Sequence, residues 1–312
     1  ESRCKMPENR RLTFSLRLNI LIYTIPGILF SMNQYGLTGR GIGIAMLDTG
    51  IFPHMDFDNR IICFRDFIYG RKQPYDDNGH GTHTAGIAAG SGAAGGGQHC
   101  GAAPGSRIIA LKVLDRRGNG QKDDVLRAME WIRRNRKTYG IRIVNISVGT
   151  TEKEPSLHEA LIAGVERLWD DGLHVVTAAG NLGPAAGSVT APGSSRKVIT
   201  VGSSDMLTAG QGISGRGPTK DCVCKPDLVA PGMNIISCAP GWGGRKYVAK
   251  SGTSMSTPAV AGAIALALEK DPLLTNVEIK MLLKESARDL GLPHNLQGWG
   301  EFQLDSFLQR IV

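Results

Sequence analysis

The stretch KSGTSMSTPAVAGAIALALEK, residues 250–270, decides the fold because it predicts a helix that is apolar on every side. No charged or polar side chain occurs from Pro258 to Leu268, and such a helix is normally buried in the middle of a domain. Its start is nevertheless crowded with hydroxyl side chains, those of Ser251, Thr253, Ser254, Ser256 and Thr257. Helix capping would use one or two of them. A second interpretation is that one serine is a nucleophile, placed where a helix N-terminus favours developing negative charge.

Strand-length apolar segments alternate with helical patterns along the rest of the chain. The predicted strands, rich in β-branched residues and poor in charge, are 41–48, 107–113, 141–148, 173–180 and 197–202. The predicted helices lie near 82–90, 122–137 and 156–171, after Ser254, and from about Thr275, where Glu278 stands at capping-box spacing. This alternation predicts an α/β fold in which a parallel sheet has helices on both faces.

Length and charge limit the functions that the chain could have. Its 312 residues, 41% of them hydrophobic, are enough for a substantial single core. The net charge of +8 suggests nucleic-acid binding, which would be strongly salt-dependent. The basic residues are spread along the chain, however, and their dense cluster at 133–137 (RRNRK) is typical of a solvated helix face. We therefore expect no nucleic-acid partner.

The N-terminal 35 residues contain the apolar run LNILIYTIPGILF (18–30), which Pro26 and Gly27 interrupt. The run is too short to span a membrane, and no clear signal-peptide cleavage site follows it. We predict that segment 1–35 packs on a single domain formed by 36–312, and that the protein has no membrane partner.

Six cysteines allow 15 complete pairings, and the sequence does not select one of them. Cys222 and Cys224, with Cys238 downstream, suggest a metal site, but no matching histidine or second cysteine pair accompanies them. A chain of this size needs no disulfide staples. We expect free thiols or one incidental bridge among these three and Cys4, Cys63 and Cys100.

Chemistry in such sheets lies at the carboxyl ends of the strands, and the first predicted strand ends at Asp48. A carboxylate there is costly to bury unless it is paired, either with turn groups of Thr49 and Gly50 or with a histidine. His80 is available, between two glycines that let other groups approach its ring. His83 lies three residues on, but without a third ligand a packed structural role is favoured over a metal pair.

Asn181 follows another predicted strand, where an asparagine is usually only a turn residue. Beside a nucleophile, its amide N–H₂ group could instead donate to an oxyanion. Asp48, His80 and Ser254 occur in the order of the subtilisin triad, which differs from the chymotrypsin and α/β-hydrolase orders.

Seven sequence blocks resemble the signature blocks of the subtilisin family of serine peptidases, in family order across roughly 36–305. They are AMLDTGIFPH, NGHGTHTAG, VNISVGT, AAGN, GRGPT, KPDLVAPG and SGTSMSTP. The interval from Asp48 to His80 (80 − 48 = 32 residues) is also similar to the family's. Within the family, GIFPHMDF, PYDDNGHGTH and VITVG resemble the AprX-like subtilases of Gram-positive bacteria.

The resemblance implies a subtilisin-like three-layer α/β/α fold and an active serine endopeptidase acting on polypeptides. Asp48, His80 and Ser254 correspond to the triad, and Asn181 to the oxyanion donor that acts with the Ser254 N–H. The residues corresponding to the two strands that hold the substrate backbone are Gly118, Asn119 and Gly120 on one side and Ser147, Val148 and Gly149 on the other. A pseudoprotease on the same fold is the alternative, weakened because all four catalytic positions are filled.

Three departures from the family pattern affect what can be expected. Thr150 and Thr190 stand where many relatives have glycine, and with Leu182 near the rim they predict a shallow apolar pocket for a medium hydrophobic P1 residue. Loop 91–104 lacks the Asn and Asp ligands of the usual tight calcium site, where Asp56 alone matches. Calcium needs six to eight oxygens, so we predict no metal there and no required cofactor, although calcium could bind elsewhere.

The third departure concerns maturation. Most relatives are made with an N-terminal folding prodomain, and no segment of that size precedes Gly36. We expect such a partner either to have been removed or to be replaced by a different maturation, and we expect a monomer. The cysteines and the lack of a visible signal slightly favour the bacterial cytoplasm over secretion.

Overall fold

Seven strands form one parallel sheet at the centre of the computed structural model, which describes residues 35–150, 154–208 and 212–311. They are β1 (Gly43–Asp48), β2 (Ile61–Asp66), β3 (Arg107–Lys112), β4 (Ile141–Ile146), β5 (His174–Ala178), β6 (Ile199–Ser203) and β7 (Leu228–Ala230). Their order across the sheet is β2-β3-β1-β4-β5-β6-β7. The predicted parallel sheet is confirmed, and all five predicted strands are present.

Helices cover both faces of the sheet, as predicted. They are α1 (His80–Ala89), α2 (Lys122–Tyr139), α3 (Pro155–Asp170), α4 (Thr253–Lys270), α5 (Asn276–Ser286), α6 (His294–Gln297) and α7 (Leu304–Gln309). Helices α1 and α4 pack together against one face, while α2 and α3 pack together and contact β1, β4 and β5. The capping box of α5 is present, since Thr275 and Glu278 exchange side chain–backbone hydrogen bonds.

Helix α4 is the buried apolar helix that the sequence predicts. From Thr253 to Leu268 every residue is buried except Ser254, so the helix presents one partly accessible side chain at its N-terminal tip. It packs against α1 and against five strands of the sheet, because its Ala-rich surface lets neighbouring backbones approach closely. The helix therefore holds Ser254 on a rigid support.

Four strands escaped sequence analysis. β2 and β7 occupy the two edges of the sheet, and β8 (Ile235–Cys238) pairs with β9 (Tyr247–Lys250) in a separate antiparallel hairpin. β7 has three residues and β9 has no fully buried side chain, so neither carries a clear apolar strand pattern.

The strand order reverses at β1. From there the sheet extends through β3 to β2 on one side and through β4 towards β7 on the other. A crevice forms where chain connections diverge in this way, and ligands bind in it beyond the carboxyl ends of the strands. The carboxyl ends of β1 and β4 are neighbours, since Leu47 is in register with Ile146.

The prediction that segment 1–35 packs on the domain concerns residues that lie, apart from Tyr35, outside the described part of the chain. Among the described residues, no helix combines the length and the apolar character needed to cross a membrane. The five described cysteines, Cys63, Cys100, Cys222, Cys224 and Cys238, are free thiols.

Candidate active site

Asp48 and His80 form a hydrogen-bonded pair at the carboxyl end of β1. Asp48 Oδ1 lies 2.7 Å from His80 Nδ1, and Asp48 is buried, whereas 23% of the His80 side chain is exposed. Two further donors hold the carboxylate: the Thr49 N–H at 2.7 Å on Oδ1 and the Thr84 hydroxyl at 3.1 Å on Oδ2. The histidine is thus fixed on one side and accessible on the other.

Asp48 therefore pairs both with the Thr49 N–H and with His80, two of the partners predicted for it. Burial acts to lower the pKa of His80, but the charge of Asp48 and its hydrogen bond outweigh burial, and the pKa is raised above its ordinary value. The positive charge of Lys250 acts in the opposite direction. The ring is therefore well suited to accept a proton.

A second buried aspartate, Asp76, organises the loop that carries His80. Its carboxylate accepts five hydrogen bonds, from the hydroxyl of Thr49, the N–H groups of Asn78 and Gly79, and both the N–H and the hydroxyl of Thr82. These hydrogen bonds outweigh burial and hold the pKa of Asp76 below its ordinary value. Sequence analysis missed this residue, although its position four residues before His80 in YDDNGH was visible.

Ser254 is the second residue of α4, at the exposed tip of the helix. Its hydroxyl donates to the carbonyl oxygen of Ser147, just beyond β4, at 2.6 Å. The N–H groups of a first helical turn have no intrahelical acceptor, so the Ser254 N–H stays available. The structure thus brings Ser254 to the end of β4. The neighbouring strand, β1, ends at Asp48.

The helix start is not capped as a row of hydroxyls would suggest. Its N-cap is Gly252, at φ +145°, a conformation that favours glycine. The nearby hydroxyls instead bind loops and backbone: that of Ser256 donates to Ala230 and Pro231, and that of Ser251 accepts from the Asn234 N–H. These hydroxyls therefore support the start of α4, as expected. The prediction that they also cap the helix was wrong.

Asn181 takes over the capping. Its Oδ1 accepts from the N–H of Thr253 at 3.0 Å and from the Thr253 hydroxyl at 3.1 Å. Because an N–H must donate to an oxygen, these contacts fix the orientation of the amide and leave its N–H₂ group directed elsewhere. Asn181 is thereby tied to the helix that carries Ser254.

Both predicted backbone-binding segments contribute to one cleft of about 480 Å³, although the predicted Ser147 is not among its lining residues. Gly118, Asn119 and Gly120 are on one side, and Val148, Gly149 and Thr150 on the other. Neither segment is a strand: Asn119 is held in a turn by hydrogen bonds to Asp115, and 147–150 follow the end of β4 at Ile146. Apolar side chains fill the depth of the cleft: Leu114, Val125, Ile146, Leu157 and Leu161.

Thr190 lies between two glycines, Gly149 and Gly180. A Cβ on Gly149 or Gly180 would be 2.2 Å or 2.4 Å from Thr190 Oγ1, so the threonine occupies all the space there. Its hydroxyl is buried and has no hydrogen-bond partner among the described residues. Leu182, in contrast, is 49% exposed.

His83 connects α1 to the β8–β9 hairpin. Its Nε2 lies 3.0 Å from the carbonyl oxygens of Ile235 and Val248, one in each strand of the β8–β9 hairpin. Burial is the main cause that lowers the pKa of His83 to about 3. A neutral imidazole that joins α1 to this hairpin fits the packed structural role predicted for it.

Asp56, which matches a calcium ligand of the family, is surrounded by hydrogen-bond donors. Its carboxylate accepts from the N–H groups of Gly92 and Ala94, the hydroxyl of Tyr247 and the thiol of Cys238. His54 also lies in this cluster, but its Nδ1 accepts from the Asp56 N–H. Calcium requires oxygen lone pairs directed at it, whereas here protons occupy them, so these residues do not fit a calcium ion.

Comparison with known proteins finds one family over most of the chain. The model of the subtilase family (Peptidase S8) matches residues 39–300. Serine protease AprX of Bacillus subtilis is 41% identical over 276 residues, which cover 81% of this chain and 62% of AprX. Subtilisin Savinase of Lederbergia lenta is 38% identical over 266 residues, which cover 85% of this chain and 90% of that protein.

A solved structure gives the same result for the fold. The crystal structure of a cold-adapted subtilisin-like serine proteinase superposes with a TM-score of 0.69 at 30% identity, covering 86% of this chain and 88% of the other. The three-layer α/β/α fold is therefore that of the subtilisins. This chain spans 62% of the length of AprX.

Proposed function

The chain belongs to the subtilase family, and from this premise we propose that it is a serine endopeptidase that hydrolyses peptide bonds in polypeptides. One observation carries the proposal. The Asp48–His80 pair and the tip of α4 with Ser254 meet at the crevice where β1 and β4 end. A buried acid, an accessible imidazole and an accessible hydroxyl are the parts that acyl transfer by a serine requires.

In the proposed reaction His80 removes the proton of Ser254 as the hydroxyl attacks the substrate carbonyl, and later delivers it to the departing amine. Asp48 fixes the tautomer of the ring and stabilises the imidazolium without taking its proton. The acyl-enzyme is then hydrolysed by water through the same steps.

Substrate binding would also release the nucleophile. The Ser254 hydroxyl donates to the Ser147 carbonyl, which the family resemblance assigns to the substrate backbone. A substrate N–H that bonds to this carbonyl would compete with the hydroxyl, which then turns about its Cα–Cβ bond towards His80. The bound peptide thus helps to assemble the triad.

The oxyanion that forms on the substrate would be stabilised by two donors, the Asn181 side chain and the Ser254 N–H. The Oδ1 contacts of Asn181 with Thr253 support this role, because they hold the amide group rigid before reaction. Preorganised donors need no reorientation as negative charge develops, which is why they lower the barrier.

The peptide would lie extended between Gly118–Gly120 and Ser147–Thr150, held by main-chain hydrogen bonds that tolerate many sequences. Selectivity would come from the P1 pocket. Thr190 closes the space between Gly149 and Gly180, which supports a shallow pocket for a medium apolar residue, with Leu182 at its rim. A peptide panel in which Lys or Glu is preferred at P1 would contradict this specificity.

We propose that no cofactor takes part and that no calcium binds at Asp56, because donors already satisfy that carboxylate. The partners proposed are polypeptide substrates and, during maturation, a prodomain. A monomer in the bacterial cytoplasm stays our expectation for assembly and location.

A fluorophosphonate label followed by peptide mass spectrometry tests the proposal. We expect an adduct on Ser254 that is absent from Ser254→Ala and from His80→Ala. Ser251→Ala is a matched control, because it removes a hydroxyl three residues away and should still be labelled. Folded protein that gains no adduct would contradict the proposal and favour a pseudoprotease.

A further inference from the structure

A second cavity, of about 510 Å³, borders the catalytic loop. Its lining residues are Asn78, Gly79, Ala239, Pro240, Gly243, Arg245, Val248 and Lys250. None of them lines the main cleft. Gly79 immediately precedes His80, and Lys250 stands four residues before Ser254, so the cavity adjoins the reacting groups from the hairpin side.

The position of the cavity relates it to one half of the substrate. The main cleft, between Gly118–Gly120 and Val148–Thr150, would hold the acyl half, on the N-terminal side of the scissile bond. A peptide that continues past Ser254 and His80 must then leave on the other side of the catalytic pair. We infer that the second cavity lies there, because Gly79 adjoins His80 and the charge of Lys250 acts on His80. It would then receive the amine half, which departs first.

The cavity is positively charged. Arg245 and Lys250 line it, and no acidic side chain does. Neither cation has an ion pair or a hydrogen bond to any residue in the described ranges. A free cation at a cavity wall attracts carboxylates, and it does so more strongly where the surroundings exclude water.

Lys250 is unusual among the lysines. Four described lysines are buried or half-buried. Lys112, Lys225 and Lys280 each donate to carbonyl or carboxylate oxygens, whereas Lys250 has no such partner in the described part of the chain. Burial is the main cause that lowers the pKa of Lys250, and the charges of Asp76 and Asp48 oppose it. A half-buried ammonium group without a partner is costly, and a ligand carboxylate would reduce that cost.

We propose that this cavity is a carboxylate-binding subsite for the part of the substrate on the C-terminal side of the scissile bond. Lys250 is its main ligand and Arg245 its outer one. The proposal rests on the proposed function and extends it to a substrate class: polypeptides with a carboxylate one or two residues beyond the cleaved bond.

Two sources supply such a carboxylate, an acidic side chain or the C-terminus of the substrate itself. The first would make the enzyme selective for acidic residues after the cleavage point. The second would make it remove short C-terminal pieces. Both use the same contact with Lys250, and peptides can distinguish them.

The test uses internally quenched peptides that differ only in Glu or Gln at the first or second residue after the scissile bond. We expect kcat/KM to be roughly fivefold higher for Glu, about the effect of one partly exposed charge pair. In Lys250→Met the two peptides should have equal kcat/KM, and in Lys250→Glu the Gln peptide should be preferred. Lys284→Met is the matched control, because it removes an exposed lysine on α5, which follows the far end of α4, and should keep the wild-type ratio.

A second pair of peptides ends two residues beyond the scissile bond, as the free acid or as the amide. A preference for the free acid alone assigns the site to the C-terminal carboxylate; a preference for Glu alone assigns it to side chains. Equal rates in both pairs, or a preference that survives in Lys250→Met, would overturn the subsite. Failure to cleave any of these peptides would instead overturn the proposed function.

The pH profile gives an independent readout. His80 faces Asp48 and Asp76, which favour its protonated form, Lys250, whose positive charge disfavours it, and His83, which is neutral. Loss of the Lys250 charge should therefore raise the pKa of His80. The acidic limb of the pH profile of kcat/KM, measured on a neutral peptide, should then move to higher pH. Lys284→Met should leave the limb in place, and an unchanged limb in Lys250→Met would place the Lys250 charge away from the reacting centre and contradict the subsite.

Discussion

Two buried aspartates in this molecule each have a histidine neighbour, yet the two pairs are built differently. Asp48 Oδ1 lies 2.7 Å from His80 Nδ1, and 23% of the His80 side chain is exposed. Asp56 Oδ1 lies 3.5 Å from His54 Nδ1, and 5% of the His54 side chain is exposed. The first pair faces the crevice beyond β1, whereas the second joins the short helix at Met55–Arg60 to the β8–β9 hairpin.

The difference lies in how the ring nitrogens are used. His54 accepts the Asp56 N–H at Nδ1, so its proton must be on Nε2, which lies 2.9 Å from the Lys246 carbonyl and donates to it. His80 uses Nδ1 for Asp48, and its ring makes no other hydrogen bond within the described residues. Proton transfer needs a free nitrogen; an Asp–His pair alone does not provide one.

Replacing each histidine by asparagine should break this comparison most clearly. We expect His80→Asn to lose about 10⁶ in kcat, the magnitude known for the equivalent loss in subtilisin, a relative of this chain. His54→Asn should keep kcat within about twofold and lower stability instead, because its contacts are structural. Hydrolysis rates and thermal midpoints of both variants check this, and similar rate losses would remove the distinction.

Asn181 allows the catalytic side to be dissected further. Asn181→Asp keeps an acceptor for the Thr253 N–H but loses the amide donor, so kcat should fall at least 10²–10³-fold, the loss known for this type of donor in subtilisin, while the helix cap survives.

Asn181→Ala removes both the donor and the cap. It should lose a similar factor in kcat and also about 1 kcal/mol of stability. Equal thermal midpoints for the Asp and Ala variants would show that Asn181 does not cap α4.

The sequence was informative where chemistry follows a local pattern. Helix α4 was predictable because eleven consecutive residues, Pro258–Leu268, carry no polar side chain, and Asp48 was predictable because it terminates an apolar strand. The order of Asp48, His80 and Ser254, with the surrounding blocks, predicted both the family and the fold.

What escaped prediction depends on which distant segments meet. The five donors around Asp76 come from the loops at Thr49 and at Asn78–Gly79 and from Thr82 in α1. The donors around Asp56 come from loop 91–97 and the β8–β9 hairpin, far apart in sequence. The contact between Ser254 and the Ser147 carbonyl spans 107 residues. The second cavity likewise requires the hairpin to lie beside Asn78 and Gly79.

The structural role of the Asp56–His54 pair can be tested by stability measurements alone. Asp56→Asn should lower the free energy of unfolding by about 2–3 kcal/mol, because several hydrogen bonds to a buried carboxylate lose their charge. Asp58→Asn is the matched control: this neighbour is exposed, and its loss should change stability by less than about 0.5 kcal/mol.

Chelation completes that test. EDTA should leave the thermal midpoint of the wild-type protein unchanged, since donors rather than a cation satisfy Asp56. A midpoint that falls with EDTA and returns with calcium would contradict this account of loop 91–97.

Two further histidines extend the comparison, because they are buried and no carboxylate of the described residues lies beside them. Burial is the main cause that lowers the pKa of His83 to about 3 and that of His174 to about 4. The ring of His174 uses one nitrogen on the Arg142 carbonyl, while the other has no partner in the described residues. An acidic neighbour thus decides the direction of the shift, which is upward for His80.

The sign of the resulting pH dependence follows from proton uptake. Below the ordinary histidine pKa of about 6.5, the unfolded chain binds a proton at each site that the folded protein refuses, so stability falls as the pH decreases. Each histidine should contribute about 1.4 kcal/mol per pH unit once the pH is well below 6.5. His80 acts oppositely, since its raised pKa adds stability at low pH that is lost as the pH rises.

Urea unfolding between pH 7.5 and 5 measures this dependence. His174→Gln should reduce the slope of unfolding free energy against pH by about one proton, because glutamine keeps a donor for the Arg142 carbonyl without titrating. An unchanged slope would mean that His174 is protonated in the folded protein. Its ring would then be charged without a carboxylate to stabilise it, and a carboxylate neighbour would no longer explain which histidines of this fold stay neutral.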